Sequence, residues 1–317
     1  MLLMIRCMRS RIGVTHGLAY PRLPKRELLF FDKIGVIQLP WLLTFHRESG
    51  YGKHYIADEY EWLQDQGLVF DLSLNNPDEI PTGSEIWRES WREATDAGRR
   101  AHELQQAWNA PDGMFIPRSI EEMHALEQQV REYTQLARTQ HAFEARAFAA
   151  GLRATRNVDA VSLLPVQDAE HVVARDEILR IVINELPIPD DGTPWEDVMA
   201  FKQDPVSVRK LLALREWIRD IATLGRDAAG VEDRLAFLLS EYASHLAHHQ
   251  LKYSRGALEV VVTTGAEIAE DVIKFKWKEL TGMLFAIRHQ QIDLLESERT
   301  APGREVSYIL HAKAAFR

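Results

Sequence analysis

An apolar repeat at helical spacing, running from Met123 to Phe148, limits the folds open to this chain. Ser119 and Glu122 precede it as a capping box, in which the hydroxyl accepts from a free backbone N–H and the carboxylate reaches back. Gly151 predicts the end of the helix at about residue 150. Because a helix of this length buries its apolar stripe only against another element, the sequence predicts a partner helix.

The preceding segment supplies that partner. Thr82 and Glu85 form a second capping box, which predicts a helix to about Trp108. Two long helices joined by a short connection are expected to pack as an antiparallel hairpin.

The N-terminal part has a different pattern, with short apolar runs closed by proline or glycine. The predicted elements are strand 12–20, helix 25–31, strand 35–39, helix 58–66 and strand 68–72. Too few residues separate the first two strands for a comfortable parallel crossover, which usually needs about a dozen or more, so their pairing stays open.

The second half of the chain is mostly helical in pattern. A strand is predicted at 157–166, and 177–188 is ambiguous, because its β-branched run Ile181–Ile183 favours a strand whereas its apolar spacing also fits a helix; we favour the strand. Thr193, Pro194 and Glu196 predict a capped helix start. The remaining predicted helices lie at 204–225, 231–254, 267–298 and 304–316. Residues 258–264 form a β-branched run that fits either a strand or a buried segment before the next helix.

These elements predict an α+β fold that is predominantly helical. The expected organisation is a small N-terminal α/β part at 1–81, a long helical hairpin plus strand at 82–186 and a C-terminal helical bundle at 187–317, with one continuous body as the alternative. The sequence places the boundary between the second and third parts at 187–192, with a surface loop there as the alternative.

Composition restricts the class of protein. The net charge is −9, and the basic residues before Glu27 are the only segregated cations, so nucleic acid is not the expected partner.

A single cysteine, Cys7, excludes an intrachain disulfide and a cysteine-based zinc site, and this favours a cytoplasmic protein. No membrane span is expected. Met1, Met4 and Met8 all precede the first predicted element, so the start codon is open.

Three segments carry a resemblance. TPWEDV at 193–198, EYASHLAHHQLKY at 241–253 and APGREVSYI at 301–309 resemble an uncharacterised family of hypothetical bacterial proteins, and FFDKIGVI at 30–37 is similar. The resemblance implies a bacterial source and implies nothing about activity.

The densest group of ligating side chains lies in the predicted helix 231–254. Glu241, His245 and His249 are spaced four residues apart and could share a divalent metal ion, with His248 or Lys252 assisting. His245 and His249 are the candidate catalytic residues, because histidine titrates near neutral pH. The alternative is a buried, hydrogen-bonded histidine beside a solvated polar face.

A second group surrounds the N-terminal strands and matches no catalytic template: His16, Asp32, His46, Glu48 and His54. Asp32 has the simpler interpretation of a residue that accepts a turn hydrogen bond. The sequence contains no GxGxxG, GxxxxGK[ST] or GxSxG motif, so the common nucleotide and hydrolase sites lack their usual elements.

Three functions remain open on this basis. The favoured one is an interaction or regulatory protein with a protein partner or self-association through its long helices. The alternatives are a metal-dependent hydrolase using Glu241, His245 and His249, and a nucleic-acid-associated protein using the basic N-terminal arm.

Overall fold

The computed structural model confirms a predominantly helical α+β chain. It describes residues 10–18, 22–48, 54–72, 84–110, 113–114, 117, 119–156, 158–166, 174–224, 228–254 and 301–316. The chain forms two compact units, 1–172 and 173–317. This boundary lies before the loop 187–192, and the hairpin belongs to the same unit as the N-terminal strands.

Unit 1 is built on a four-stranded parallel sheet. Its elements are β1 (Arg11–His16), α1 (Lys25–Phe30), β2 (Lys33–Ile37), α2 (Leu39–Glu48), α3 (His54–Asp65), β3 (Val69–Asp71), α4 (Glu85–Trp108), a small ribbon of β4 (Asn109–Ala110) and β5 (Gly113–Met114), α5 (Ile120–Thr155) and β6 (Asp159–Ser162). The strand order is β3-β2-β1-β6, and every pairing in the sheet is parallel. The pairing that the sequence left open is therefore parallel, with α1 in the crossover.

Helix α5 covers one face of this sheet. Its C-terminal half packs on β1 and β6, and its small and aromatic side chains join those of the strands in one core that includes Val14, Ala145, Phe148 and Ala160. Gly13 faces the opposite side, where a Cβ would meet Phe31 just after α1. Because successive residues of a strand point to opposite faces of the sheet, Val14 faces α5 and Gly13 faces the side of α1.

The predicted hairpin is present, and α4 packs along α5. Ser119 caps α5 by accepting from the N–H of Glu122, and the helix continues to Thr155, one turn past the glycine that was expected to end it. Ser84 accepts from the N–H of Trp87 at the start of α4. The predicted cap Thr82 lies outside the described residues.

Helix α2 is absent from the sequence prediction, which ended a strand at Leu39 and took Pro40 as its stop. The strand ends at Ile37, and Gln38 turns the chain with a φ of 58°. Leu39 N–H donates to Asp71 Oδ1, 32 residues away, and so fixes the start of α2 through a neighbouring strand. A proline in the first turn is compatible with this start, because N–H groups there have no helical partner.

Unit 2 is helical in its described residues. It contains α6 (Ala174–Glu185), α7 (Trp195–Gln203), α8 (Pro205–Thr223), α9 (Ala228–Ser254), a 3-10 turn (Arg304–Val306) and α10 (Ser307–Ala315). The predicted segments 258–264 and 267–298 lie outside the described residues.

Two predictions about unit 2 are wrong. The segment 177–188 is not a strand: residues 177–185 belong to α6, which buries Ile178, Leu179, Val182 and Ile183 on one helical face. The helix start predicted at residues 193–196 is present as α7, but its N-cap is Pro194 and not the predicted Thr193. The cap predicted at Asp204 is present, and its carboxylate accepts from Ser207 N–H.

Candidate functional site

The strand order creates a topological switch point between β1 and β6. From β1 the chain proceeds to β2 and β3 on one side, and it then returns to place β6 on the other side of β1. In open parallel sheets, ligands bind in the crevice outside the carboxyl ends of the strands at such a point. The last residue of β1 is His16, so this residue lies at the expected position.

His16 is fully buried there, and each of its ring nitrogens lies close to one polar group. Nδ1 lies 3.2 Å from the backbone nitrogen of Leu18, and Nε2 lies 3.1 Å from Oε2 of Glu144 in α5. A backbone N–H only donates, so Nδ1 is the acceptor of this hydrogen bond. Nε2 lies at ion-pair distance from the carboxylate but is not aligned as a hydrogen bond to it.

His141 completes the cluster from the same helix. Its ring stacks on that of His16, with centroids 4.0 Å apart and planes inclined by 17°. Burial is the main cause that lowers the pKa of His141, to about 4, and the neighbouring His16 adds to it against the opposing effect of Glu144. His141 is therefore neutral at physiological pH, and its side chain is half-buried rather than enclosed.

Glu144 is the anion of the cluster. Burial raises the pKa of its carboxyl, but hydrogen bonds from His16 and Gln140 outweigh burial, and the net pKa is below its ordinary value. Gln140 Nε2 donates to Oε1 at 2.9 Å, and Oε2 lies 3.1 Å from His16 Nε2. A hydrogen bond to the charged form helps a carboxylate persist in a buried position.

The hairpin contacts this network at Gly98 of α4. A Cβ at Gly98 would lie 2.9 Å from the side-chain carbon and oxygen of Gln140. The small residue thus leaves room for the amide that holds Glu144. The polar cluster, the switch point and the α4–α5 packing are connected through Gln140.

The cluster is not arranged as a metal site. Stacked rings have nearly parallel planes, so their in-plane lone pairs do not converge on one ion. Within the described part of the chain, no three His, Cys, Asp or Glu side chains form a group that could hold a metal ion. The geometry instead provides a neutral imidazole next to a carboxylate.

Only His16 of the second predicted group joins this cluster. Asp32 accepts the backbone N–H of Arg11 at 2.9 Å, from 21 residues away, so this is a long-range hydrogen bond and not the turn hydrogen bond that the sequence suggested. His46 is buried in α2 with its ring edge-on to Phe45, Glu48 ends α2 and His54 begins α3. The sequence did not single out His141 and Glu144. Their signal was the presence of two polar residues, three positions apart, on the apolar face of the helix that became α5.

The predicted metal residues lie on α9, and the helix continues to Ser254, so positions 241, 245 and 249 follow one another at helical spacing. Glu241 is exposed and His245 is half-buried. The side chains of His248, His249 and Lys252 lie outside the described residues. The metal site therefore stays a prediction.

A further polar cluster in unit 2 joins α8 and α10. Ser207 Oγ lies 3.0 Å from His311 Nε2 and 3.2 Å from Asp204 Oδ2, the oxygen that also accepts Ser207 N–H at 2.8 Å. Ser207 is buried, so its hydroxyl is not accessible to a substrate. These contacts cap α8 and attach it to the C-terminal helix.

Several cations that were candidates for a nucleic-acid surface are paired within unit 1. Arg11 pairs with Asp159 at 3.1 Å, and Arg22 and Arg26 both contact Glu27. Residues 1–9 lie outside the described residues. In the part of the chain that the structure describes, no helix has the length and apolar character that crossing a bilayer requires.

Comparisons with protein-family models, with curated proteins and with solved structures gave no significant match to this chain. The chemistry of its own side chains is therefore the basis for assigning a function.

Proposed function

We propose that this protein is a regulatory or interaction protein that binds a small polar molecule at the carboxyl edge of its parallel sheet. The observation that carries the proposal is the position of the His16–His141–Glu144 cluster at the switch point, on the edge where such sheets bind ligands. Buried polar groups cost stability, and they are frequent at functional sites.

The protonation state of the cluster favours binding over acid–base catalysis. An efficient general base has a pKa near the working pH, whereas the pKa of His141 is about 4. Neutral His141 can both donate and accept a hydrogen bond. The ionised Glu144 nearby disfavours an anionic group at this position, so the ligand group that contacts His141 is expected to be a hydroxyl, an amide or an amine.

The same helix provides the interaction surface. Before the region where it covers the sheet, α5 exposes Ile120, Met123 and Val130, with exposed fractions of 65%, 44% and 44%. His141 and Val130 are 11 residues apart, which is about 16 Å along a helix. A single continuous helix thus links the proposed ligand site to an exposed apolar face, as a regulatory protein requires.

Thermal unfolding in the presence of a ligand panel tests the proposal. The panel comprises sugars, amino alcohols, amino acids and nucleosides, and the variants are His141→Gln and the control His124→Gln, which changes an exposed histidine of the same helix. We expect at least one class to raise the Tm of the wild type and of the control but not of His141→Gln. If no class stabilises the wild type, or if all three proteins respond equally, the proposed site is wrong.

A further inference from the structure

We propose that the ligand of the carboxyl-edge site is a neutral sugar, and that Gln38 and Trp41 bind it together with His141. This inference rests on the proposed function, because it names the ligand class of the same site. Two observations carry it: the left-handed backbone of Gln38 and the exposed ring of Trp41, both just beyond the carboxyl end of β2.

Gln38 lies beside the last residue of β1. His16 and Ile37 are paired in the parallel sheet, so Gln38 follows the direct neighbour of His16. A Cβ at Gly17 would lie 3.1 Å from the carbonyl oxygen of Gln38 and 3.1 Å from the Cβ of Leu42 in α2. The end of β1 therefore contacts the start of α2, and this contact places Gln38 next to the cluster that includes His16.

The backbone of Gln38 is strained for a residue that has a side chain. Its φ of 58° lies in the left-handed region, where a Cβ has a steric cost that glycine avoids. The side chain is exposed, and among the described residues its amide makes no hydrogen bond that would explain a glutamine in place of glycine. Strained residues of this kind cluster at ligand-binding sites, and a ligand that uses the amide explains this one.

Trp41 extends the site along α2. Gln38, Trp41 and Phe45 are spaced three and four residues apart, so they share one side of the helix and of the turn before it. Trp41 is 45% exposed and Phe45 is 41% exposed. Their rings stack, with centroids 5.2 Å apart and planes inclined by 13°. Phe45 thus orients the indole, which keeps apolar ring surface exposed one turn from the Gln38 amide.

The combination of these groups favours a neutral sugar. The amide of Gln38 and the neutral ring of His141 can each donate and accept a hydrogen bond, as a sugar hydroxyl does. The C–H face of a sugar ring is apolar and can pack on an aromatic ring, which is the usual mixture of apolar and polar contacts in a small-molecule site. The ionised Glu144 disfavours anionic ligands such as sugar phosphates.

A nucleoside is the competing ligand class, because its base can also stack on Trp41. The edge of a base, however, presents donors and acceptors in a fixed pattern, and it is read by partners of fixed role. Gln38 and His141 each offer both roles, which matches hydroxyl groups better. Nucleosides are therefore included in the test as the alternative.

Titration of the full chain with neutral hexoses, followed by thermal unfolding and by NMR, tests the inference. The probes are glucose, galactose and mannose, each paired with its uronic acid, and adenosine and uridine as the competing class. In the wild type we expect at least one neutral sugar to raise the Tm and to shift the indole N–H signal of Trp41 and the side-chain amide signals of Gln38. The matching uronic acid should bind more weakly.

Two variants test the two residues. Trp41→Ala removes the stacking surface and Gln38→Gly removes the amide, and each should weaken sugar binding about tenfold. Without sugar, Gln38→Gly should keep or raise the Tm, because glycine adopts the left-handed conformation freely, so its loss of binding is not a loss of folding. Phe237→Ala is the control: it changes an exposed aromatic residue of unit 2, and its sugar affinity should equal that of the wild type.

The outcomes separate the sugar from the site. If nucleosides or amino acids raise the Tm through His141 while no neutral sugar does, the proposed function stands and the sugar assignment is wrong. Sugar binding that is unchanged in either Trp41→Ala or Gln38→Gly also overturns the assignment. If no class of ligand raises the Tm, the sugar and the proposed function are rejected together.

Discussion

Gly303 lies against the carbonyl oxygen of Leu238 in helix α9, so closely that a Cβ added to Gly303 would overlap with that oxygen. The glycine also has a left-handed conformation, with a φ of 74°. Both features require the absence of a side chain. Replacement of Gly303 is therefore expected to separate the chain before α10 from α9.

We expect Gly303→Ala to destabilise the protein by about 3 kcal/mol or more, because the left-handed backbone alone costs about 1–2 kcal/mol and the backbone overlap adds to it. Gly67→Ala is the matched control: its φ is 66°, but a Cβ there meets nothing within 4 Å. Its expected cost is about 1–2 kcal/mol, because only the left-handed backbone conformation opposes the new side chain. Chemical denaturation measures both, and equal losses would contradict the packing argument.

The stacked histidines predict a pH dependence of stability. The pKa of His141 in the folded protein is about 4, below its ordinary value of 6.5, so the unfolded chain binds more protons between these values. Stability is thus fully present above about pH 6.5 and falls as the pH approaches 4. For a half-buried group we expect a loss of about 1–2 kcal/mol.

Denaturant titrations at several pH values check this dependence. His141→Gln should flatten the acid limb of the stability profile, whereas His124→Gln, on an exposed part of the same helix, should leave it unchanged. A profile of His141→Gln that is parallel to that of the wild type would refute the assignment.

Gly98 connects the hairpin to the buried carboxylate. Gly98→Ala raises helix propensity by about 1 kcal/mol, but the new Cβ displaces the Gln140 amide, which donates to Glu144. We expect little net change in stability, because the displaced group is a flexible side chain. The pKa of Glu144 should rise as its donor is lost.

Side-chain carboxyl chemical shifts followed by NMR measure that rise. Gln140→Leu should reproduce it without any change at position 98, since it removes the same donor. An unchanged pKa of Glu144 in Gly98→Ala would show that Gln140 retains its hydrogen bond.

The metal prediction for α9 can be tested directly. If Glu241, His245 and His249 share a divalent ion, elemental analysis of the purified protein should find stoichiometric zinc, manganese or iron, and the His245→Ala, His249→Ala double variant should lose it. A metal-free protein whose double variant only loses stability would favour the packing interpretation. His141→Gln is the control, since its ring is not arranged to bind an ion.

Local sequence signals determined most of the elements. Ser119 and Asp204 marked helix starts because a capping side chain acts on backbone groups within its own first turn, and both caps are present. The apolar spacing in α5 is also a local signal, because it repeats along one continuous segment. It therefore predicted both a long helix and an apolar face that needs a partner. Short apolar runs located the strands of the sheet. These runs did not predict which strands pair or that the pairing is parallel.

Only the tertiary structure decided the rest. Residues 177–185 are helical despite their β-branched run, because burial of one helical face outweighs a weak local propensity. The start of α2 depends on Asp71, a residue distant in sequence. The His16–Glu144 contact joins residues 128 positions apart, and no local pattern encodes a contact between a strand end and a helix that the chain reaches later.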